Sequence, residues 1–443
     1  MKVEATYRQI WRIAYPIMLG GVAQTALNVT DTAFLARVGE TELAASAIGG
    51  VFYFVLVMIG VAIAVGLQIL ISRNAGEGNL AGIAKSFDNG LLILIALSVL
   101  MFIASVLWVP WFYNLIIHET DVKNAAVVFV HYRAYGLLLT VPALAIRSFF
   151  TGISQTRIIT LHAVISAVLN IILDYILIFG HLGFEPMGIK GAGIATAIAE
   201  IVSGLFVFAY MAFYHHIKEY HLFKFNTIAV DEIKRILNVS APIVLQNFLS
   251  MGAWFVFFIF IEKLGKHELA ISNVIRATYM ILMTPVFGFS NATNSMVSNL
   301  IGQKKHGDVF ILIKKVIIMS LLLIGAMVLL CSLFPYYILA LTAADDILIN
   351  DAMMSYYIVC ASTLILAVSI NLLSAVSGTG ATKAAMYIEV FNIAVYMLYI
   401  YFCCIVFKTS IEIVWLSEGL YWAIMGLLSY LYLRSGKWKH ITV

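Results

Sequence analysis

Twelve apolar runs of twenty residues or more follow one another along this chain, separated by short polar breaks. As a helix, about 20 residues at 1.5 Å each cross a ~30 Å hydrocarbon core. Inside such a core only helices and closed barrels satisfy their own backbone. Barrel strands would show alternating segments of about ten residues, which this chain lacks. The expected fold is therefore all-α and integral to the membrane, with spans near 10–36, 44–73, 86–110, 122–150, 158–180, 188–213, 237–262, 270–300, 311–336, 347–376, 384–407 and 411–433. The composition agrees: 62% of the 443 residues are hydrophobic and only 11% are charged, against about a quarter charged in soluble domains. No small-residue cleavage site interrupts "MKVEATYRQIWRIAYPIMLGG", so the first span is expected to remain uncleaved.

The basic residues orient the spans. With the N-terminus cytoplasmic, nineteen Lys and Arg fall in cytoplasmic tails and breaks, six fall on the opposite side (Arg37, Lys123, Lys190, Lys263, Lys266, Lys408), and Arg133 and Arg276 lie inside spans. That asymmetry predicts both termini inside, in a cell inner (plasma) membrane. The net charge of +4 reflects this loop bias and not a nucleic-acid surface. Cys331, Cys360, Cys403 and Cys404 all fall in spans as small apolar fillers, with no metal-site spacing. No cofactor is expected, and lipid is the one surrounding partner the composition implies.

The longest polar break, residues 214–235, divides an expected N-terminal lobe (1–213) from a C-terminal lobe (236–443) as an interlobe linker. A shift of 226 residues places Pro16 on Pro242, Phe34 on Phe260, Gly39 on Gly265 and Tyr53 on Tyr279 without a gap. It also places Glu42, Leu43, Ala44 and Ser46 on Glu268, Leu269, Ala270 and Ser272, and Gly152 on Gly378, Tyr175 on Tyr401 and Gly193 on Gly419. One register carrying glycines and a proline marks a duplication. Six spans per copy is an even number, so both copies enter the membrane in the same direction. They form two six-helix bundles related by a pseudo-two-fold axis along the membrane normal, the parallel-repeat plan of alternating-access transporters. The alternative is a duplicated scaffold without moving parts, and charge inside the spans weighs against it.

Asp31, Asp174, Glu200 and Glu389 fall inside spans. An unpaired charge there costs at least about 2.5 kcal/mol, so such an acid needs a cavity or a partner. In the repeat register Asp31, Asp174 and Glu200 meet Phe257, Ile400 and Gly426, which predicts chemistry confined to the first lobe. On the first span, beyond an expected kink at Pro16, Gln24, Asn28 and Asp31 share a face. On the fifth, Ser166, Asn170 and Asp174 do the same, and Thr196 at the start of the sixth supplies a hydroxyl. Glu389, one turn into the eleventh span beside Lys383, is expected to snorkel to the cytoplasmic surface. His162, Arg133 and Arg276 read as structural. Two nearby carboxyls could hold a proton, and the same oxygens suit a hard cation such as sodium, so both coupling ions stay open.

The stretches "AYPIMLGGVAQTALNVTDTAFLARVGETELAASAI", "GLQILISRNAGEGN", "LNIILDYILIFG" and "MGIKGAGIATAIAE" together resemble the multidrug and toxic compound extrusion (MATE) family across essentially the whole chain. The resemblance implies a V-shaped pair of six-helix bundles working as a rocker-switch antiporter. It would export small organic cations or drugs in exchange for protons or sodium, most simply as a monomer. In the DNA-damage-inducible, archaeal-like branch the cation site lies in the N-terminal lobe, and carry-over lands on Asp31, Asn170, Asp174 and Thr196. A fourth-span tyrosine belongs to that site, with Tyr132 and Tyr135 as candidates; Gln24, Asn28, Ser166 and Glu200 would support it. The branch with an acid in the seventh span would want Glu near Ser250, which is absent. The family's L-R-G-x-G-D-T turn stands here as "FTGISQT" and "VSGTGAT", without Arg and Asp.

Three alternatives were set against this reading. A lipid-linked oligosaccharide flippase of the same superfamily would want basic residues in its spans, where only Arg133 and Arg276 occur. An intramembrane enzyme such as a magnesium-dependent prenyltransferase would want clustered acids on one helix end, and each acid here is solitary. A channel is disfavoured by duplication with one-sided chemistry.

Overall fold

The computed structural model describes residues 2–224, 229–343 and 345–441, so residues 225–228 of the expected linker lie outside the described residues. The helices are α1 (Tyr7–Val38), α2 (Glu40–Glu77), α3 (Leu80–Leu107), α4 (Val109–Ile116), α5 (Thr120–Gly152), α6 (Arg157–Phe179) and α7 (Gly188–Phe213). They continue with α8 (Val230–Glu262), α9 (Lys266–Gly302), α10 (His306–Leu333), α11 (Pro335–Leu339), α12 (Asp346–Gly378), α13 (Thr382–Tyr401) and α14 (Ile411–Arg434). Twelve of these are long, and α4 and α11 are short. Eleven are long and apolar enough to cross a membrane. The exception among the long ones is α1, at 32 residues, which carries Gln24, Asn28 and Asp31 in its second half.

Local chemistry sets the boundaries. The Asn79 side chain caps α3 by accepting from Gly82 N at 2.8 Å, and Asp345 caps α12 by accepting from Leu348 N at 2.8 Å, the role short polar side chains play at helix starts. Gly78 and Gly180 end α2 and α6 in the left-handed conformation that lacks a Cβ penalty. Two expected spans stop earlier than their hydropathy suggests. Both α3 and α10 end before Pro110 and Pro335, and each proline sits in the first turn of the short helix that follows, where its missing N–H costs nothing.

The chain forms two compact units, Leu19–Ser240 and Met1–Met18 with Ala241–Val443. Passage from one to the other falls within three residues of Pro16 inside α1 and of Pro242 inside α8. In the first unit α2 packs along α5, and α5 and α6 pack along α7. The second unit repeats this with α9 along α12 and α12 along α14.

Buried polar contacts fix the segments that lead into each unit. The Asp88 carboxylate accepts from Phe223 N at 2.8 Å and Lys224 N at 3.1 Å, and Asn89 Oδ1 accepts from Ala229 N at 3.0 Å. Buried Glu232, in the first turn of α8, accepts from Ser86 Oγ at 2.6 Å and lies 3.4 Å from Arg235. In the other unit, Val3 N donates to Asn299 Oδ1 at 3.1 Å, Gln303 donates to Val3 O at 2.8 Å, and Lys315 Nζ donates to Ala5 O at 2.6 Å.

Candidate functional site

Helices α6 and α7 approach closely enough that a Cβ added to Gly191 would lie 2.7 Å from the Leu177 carbonyl. That contact sets α6, with Asn170 and Asp174, against α7, with Thr196. Both Asn170 and Asp174 are 0% exposed, and Thr196 is buried with them. Asp31, from the second half of α1, brings its carboxyl within hydrogen-bonding reach of Asp174. One carboxyl donates to another only through a proton, so this pair is built to hold a single proton or a cation in its place.

Asn170 bridges the pair. With its NH2 group turned toward the acids it donates to Asp31 Oδ1 at 2.7 Å and Asp174 Oδ2 at 3.1 Å, while its oxygen accepts from Thr196 Oγ1 at 3.2 Å. Turned the other way, the NH2 group donates to Thr196 Oγ1 at 3.2 Å and the amide oxygen faces the acids. The first orientation suits the proton-holding state, and the second suits a hard cation among oxygens. Asp174 Oδ1 is buried and has no hydrogen-bond partner, so the group retains capacity for one further ligand. Among the described residues no cluster of three or more His, Cys, Asp or Glu could hold a multivalent metal.

The other expected residues are placed unevenly. Gln24 and Asn28 are exposed and bond to each other at 3.4 Å. Ser166 is buried one turn before Asn170. Tyr132 packs against α7 beside Gly193, with Lys190 Nζ 5.3 Å above its ring. Tyr135 is 42% exposed and meets Phe102 edge-on at 5.1 Å. The tyrosine that donates to an acid in this unit is Tyr53 of α2, a residue the sequence reading passed over. Its hydroxyl bonds Glu200, which also accepts from Thr140 Oγ1 at 3.1 Å. Gly136 leaves room for that carboxylate, since a Cβ there would lie 2.1 Å from Glu200 Oε2. Arg133 lies 4.1 Å above the Tyr53 ring, and its charge acts on Asp31, Asp174 and Glu200.

Two expectations are corrected in the other unit. Glu389 does not snorkel to the surface; it is 2% exposed and accepts from Ser250 of α8 and Tyr421 of α14. Its side of α13 faces these neighbours, so the carboxylate finds donors inside the bundle and has no need of water. Buried acids are also not confined to the first lobe. Glu418 of α14, 3% exposed, accepts from Tyr279 at 2.8 Å and Tyr396 at 3.0 Å, and Trp422 Nε1 donates to Tyr279 at 2.7 Å. Glu418 lies inside the last expected span, two turns into α14, and the sequence reading did not single it out. The available signal was the repeat: its neighbour Gly419 matches Gly193, which sits inside the α7 bundle.

A family model described as MatE matches residues 16–176 and again 242–408. A probable multidrug resistance protein NorM of Thermotoga maritima is 25% identical over 450 residues, covering 99% of this chain and 94% of that protein. A probable multidrug resistance protein NorM of Synechocystis sp. is 25% identical over 309 residues, covering 68% of this chain; the match spans 66% of the relative's length. Among solved structures, a MOP superfamily transporter from Pyrococcus furiosus superposes with a TM-score of 0.90 at 18% identity, over 98% of this chain and 96% of that one. An outward-facing multidrug resistance MATE family transporter of the MOP superfamily gives 0.90 at 18% identity, over 98% and 97%. These likenesses show the fold.

Proposed function

Because the chain belongs to the MatE family, we propose that it is a secondary active antiporter that exports small organic cations in exchange for protons or sodium by rocker-switch alternating access. The observation that carries this is the buried contact of Asp31 with Asp174, bridged by Asn170 and closed by Thr196. Such a pair binds one proton or one sodium ion and changes charge by one unit when it releases it. An organic cation is then favoured by the emptied site and disfavoured by the filled one, which is the differential affinity antiport requires. The names of the relatives, multidrug resistance proteins, support an organic substrate class.

The bias of nineteen basic residues against six supports a plasma-membrane location with both termini cytoplasmic, and the proposed working unit is a monomer. Family membership removes the intramembrane enzyme from consideration. No observation favours the flippase: the two arginines within spans rest over aromatic rings, Arg133 over Tyr53 and Arg276 5.0 Å from the Phe258 ring.

In proteoliposomes, an inward proton or sodium gradient imposed separately should drive export of a fluorescent organic cation. Asp31→Asn and Asp174→Asn should each abolish it in protein that still folds. Undiminished transport in both variants would refute the site, and the gradient that works identifies the ion.

A further inference from the structure

Arg133 is a charge without an ion pair. It belongs to none of the ion pairs among the described residues, and its Nε is buried with no hydrogen-bond partner. The guanidinium rests instead on π faces, 4.1 Å from the Tyr53 ring centroid and 5.5 Å from that of Phe129. Cation–π contact holds such a group in place without neutralising it. The acids are close by and come from three other helices: Asp31 on α1, Asp174 on α6 and Glu200 on α7. Glu200 Oε2 accepts from Tyr53 and Thr140, and both donors favour its ionised form. Emptied of the proton or sodium ion, the three acids carry three negative charges and Arg133 reduces them to two; with the ion bound, two are reduced to one.

We propose that Arg133 tunes the charge class of the substrate, lowering the negative charge of the emptied lobe and so weakening its hold on organic dications more than on monocations. This rests on the antiport reading above and adds to it the residue that selects for charge. A dication gains twice as much as a monocation from each added negative charge, so removing Arg133 raises dication binding more than monocation binding. Stacking on Tyr53, and not pairing with an acid, lets the positive charge act on all three carboxylates without being bound to any one of them.

The test measures equilibrium binding of tetraphenylphosphonium and of methyl viologen, a monocation and a dication, to purified full-length protein at one pH. In Arg133→Gln the dication-to-monocation affinity ratio should rise about tenfold or more. Arg133→Lys should keep the wild-type ratio. Arg133→Gln combined with Glu200→Gln, which restores the net charge, should return the ratio to the wild-type value. An unchanged ratio in Arg133→Gln, or a ratio that stays high in the double variant, overturns the proposal. A purely structural Arg133 would weaken both ligands alike and also leave the ratio unchanged. Failure of the antiport reading shows up in a different variant, as binding unaltered by Asp31→Asn with Asp174→Asn.

Discussion

Asn170 is the residue on which the candidate site turns. With its NH2 group turned toward the acids, its amide reaches both carboxyls, at 2.7 and 3.1 Å, and Thr196 as well, at 3.2 Å. Asn170→Ala removes two hydrogen bonds to acids, each worth roughly 1.5–3 kcal/mol when the partner is charged. The expected outcome is at least a tenfold loss of coupling-ion affinity with the fold retained, measured as the gradient needed for half-maximal transport. An unchanged gradient dependence would show that Asp31 and Asp174 are held together without the bridge. At this scale the sequence was partly legible. Asn170, Asp174 and Thr196 could be brought together because four-residue spacing on one helix and adjacency of the next are local facts. Tyr53 and Arg133 were not legible as site neighbours, because their approach depends on how α2 and α5 pack. Glu418 was not legible as a buried acid, because the tyrosines that donate to it come from two other helices, α9 and α13.

At the scale of elements, the α6–α7 contact positions the site more than any side chain does. The Leu177 backbone leaves no room for a Cβ at Gly191, and backbone cannot swing aside. Gly191→Ala should therefore push the two helices apart, destabilising the protein by about 1–3 kcal/mol. It should also lower transport more than the lost stability explains, because Thr196 moves away from Asn170. Thermal unfolding in detergent and transport rate, measured on the same preparation, check both parts. Wild-type transport in Gly191→Ala would mean that the pocket tolerates a wider spacing. Elements were the most readable level of the sequence. Runs of apolar residues locate the long helices because the bilayer requires such runs. The errors fell where proline starts a new helix within a continuous hydropathic run, at Pro110 and Pro335.

For the whole molecule, the charge asymmetry makes a directional prediction. Single cysteines introduced at Lys218 and at Lys123, in a background without the four native cysteines, should label from opposite sides of the membrane. Lys218→Cys should react with an impermeant maleimide only in inside-out vesicles, and Lys123→Cys only in right-side-out ones; the reverse pattern would invert the orientation. The duplication was legible because an ungapped register survives in glycines and a proline that packing cannot easily replace. Asp31, Asp174 and Glu200 lack acidic counterparts in the second copy, but that copy buries acids of its own at other positions, Glu389 and Glu418.

The unit boundaries bear on how the protein is made. Residues 1–18 are synthesised before Leu19–Ser240, yet they belong with Ala241–Val443, and the unit of Leu19–Ser240 is complete only after the first turns of α8 have been synthesised. The two compact units are thus interleaved in sequence, although the two copies of the repeat follow one another along the chain. Halves expressed separately from a break in the linker would each carry a piece of the other's core, and neither would be a complete folding unit.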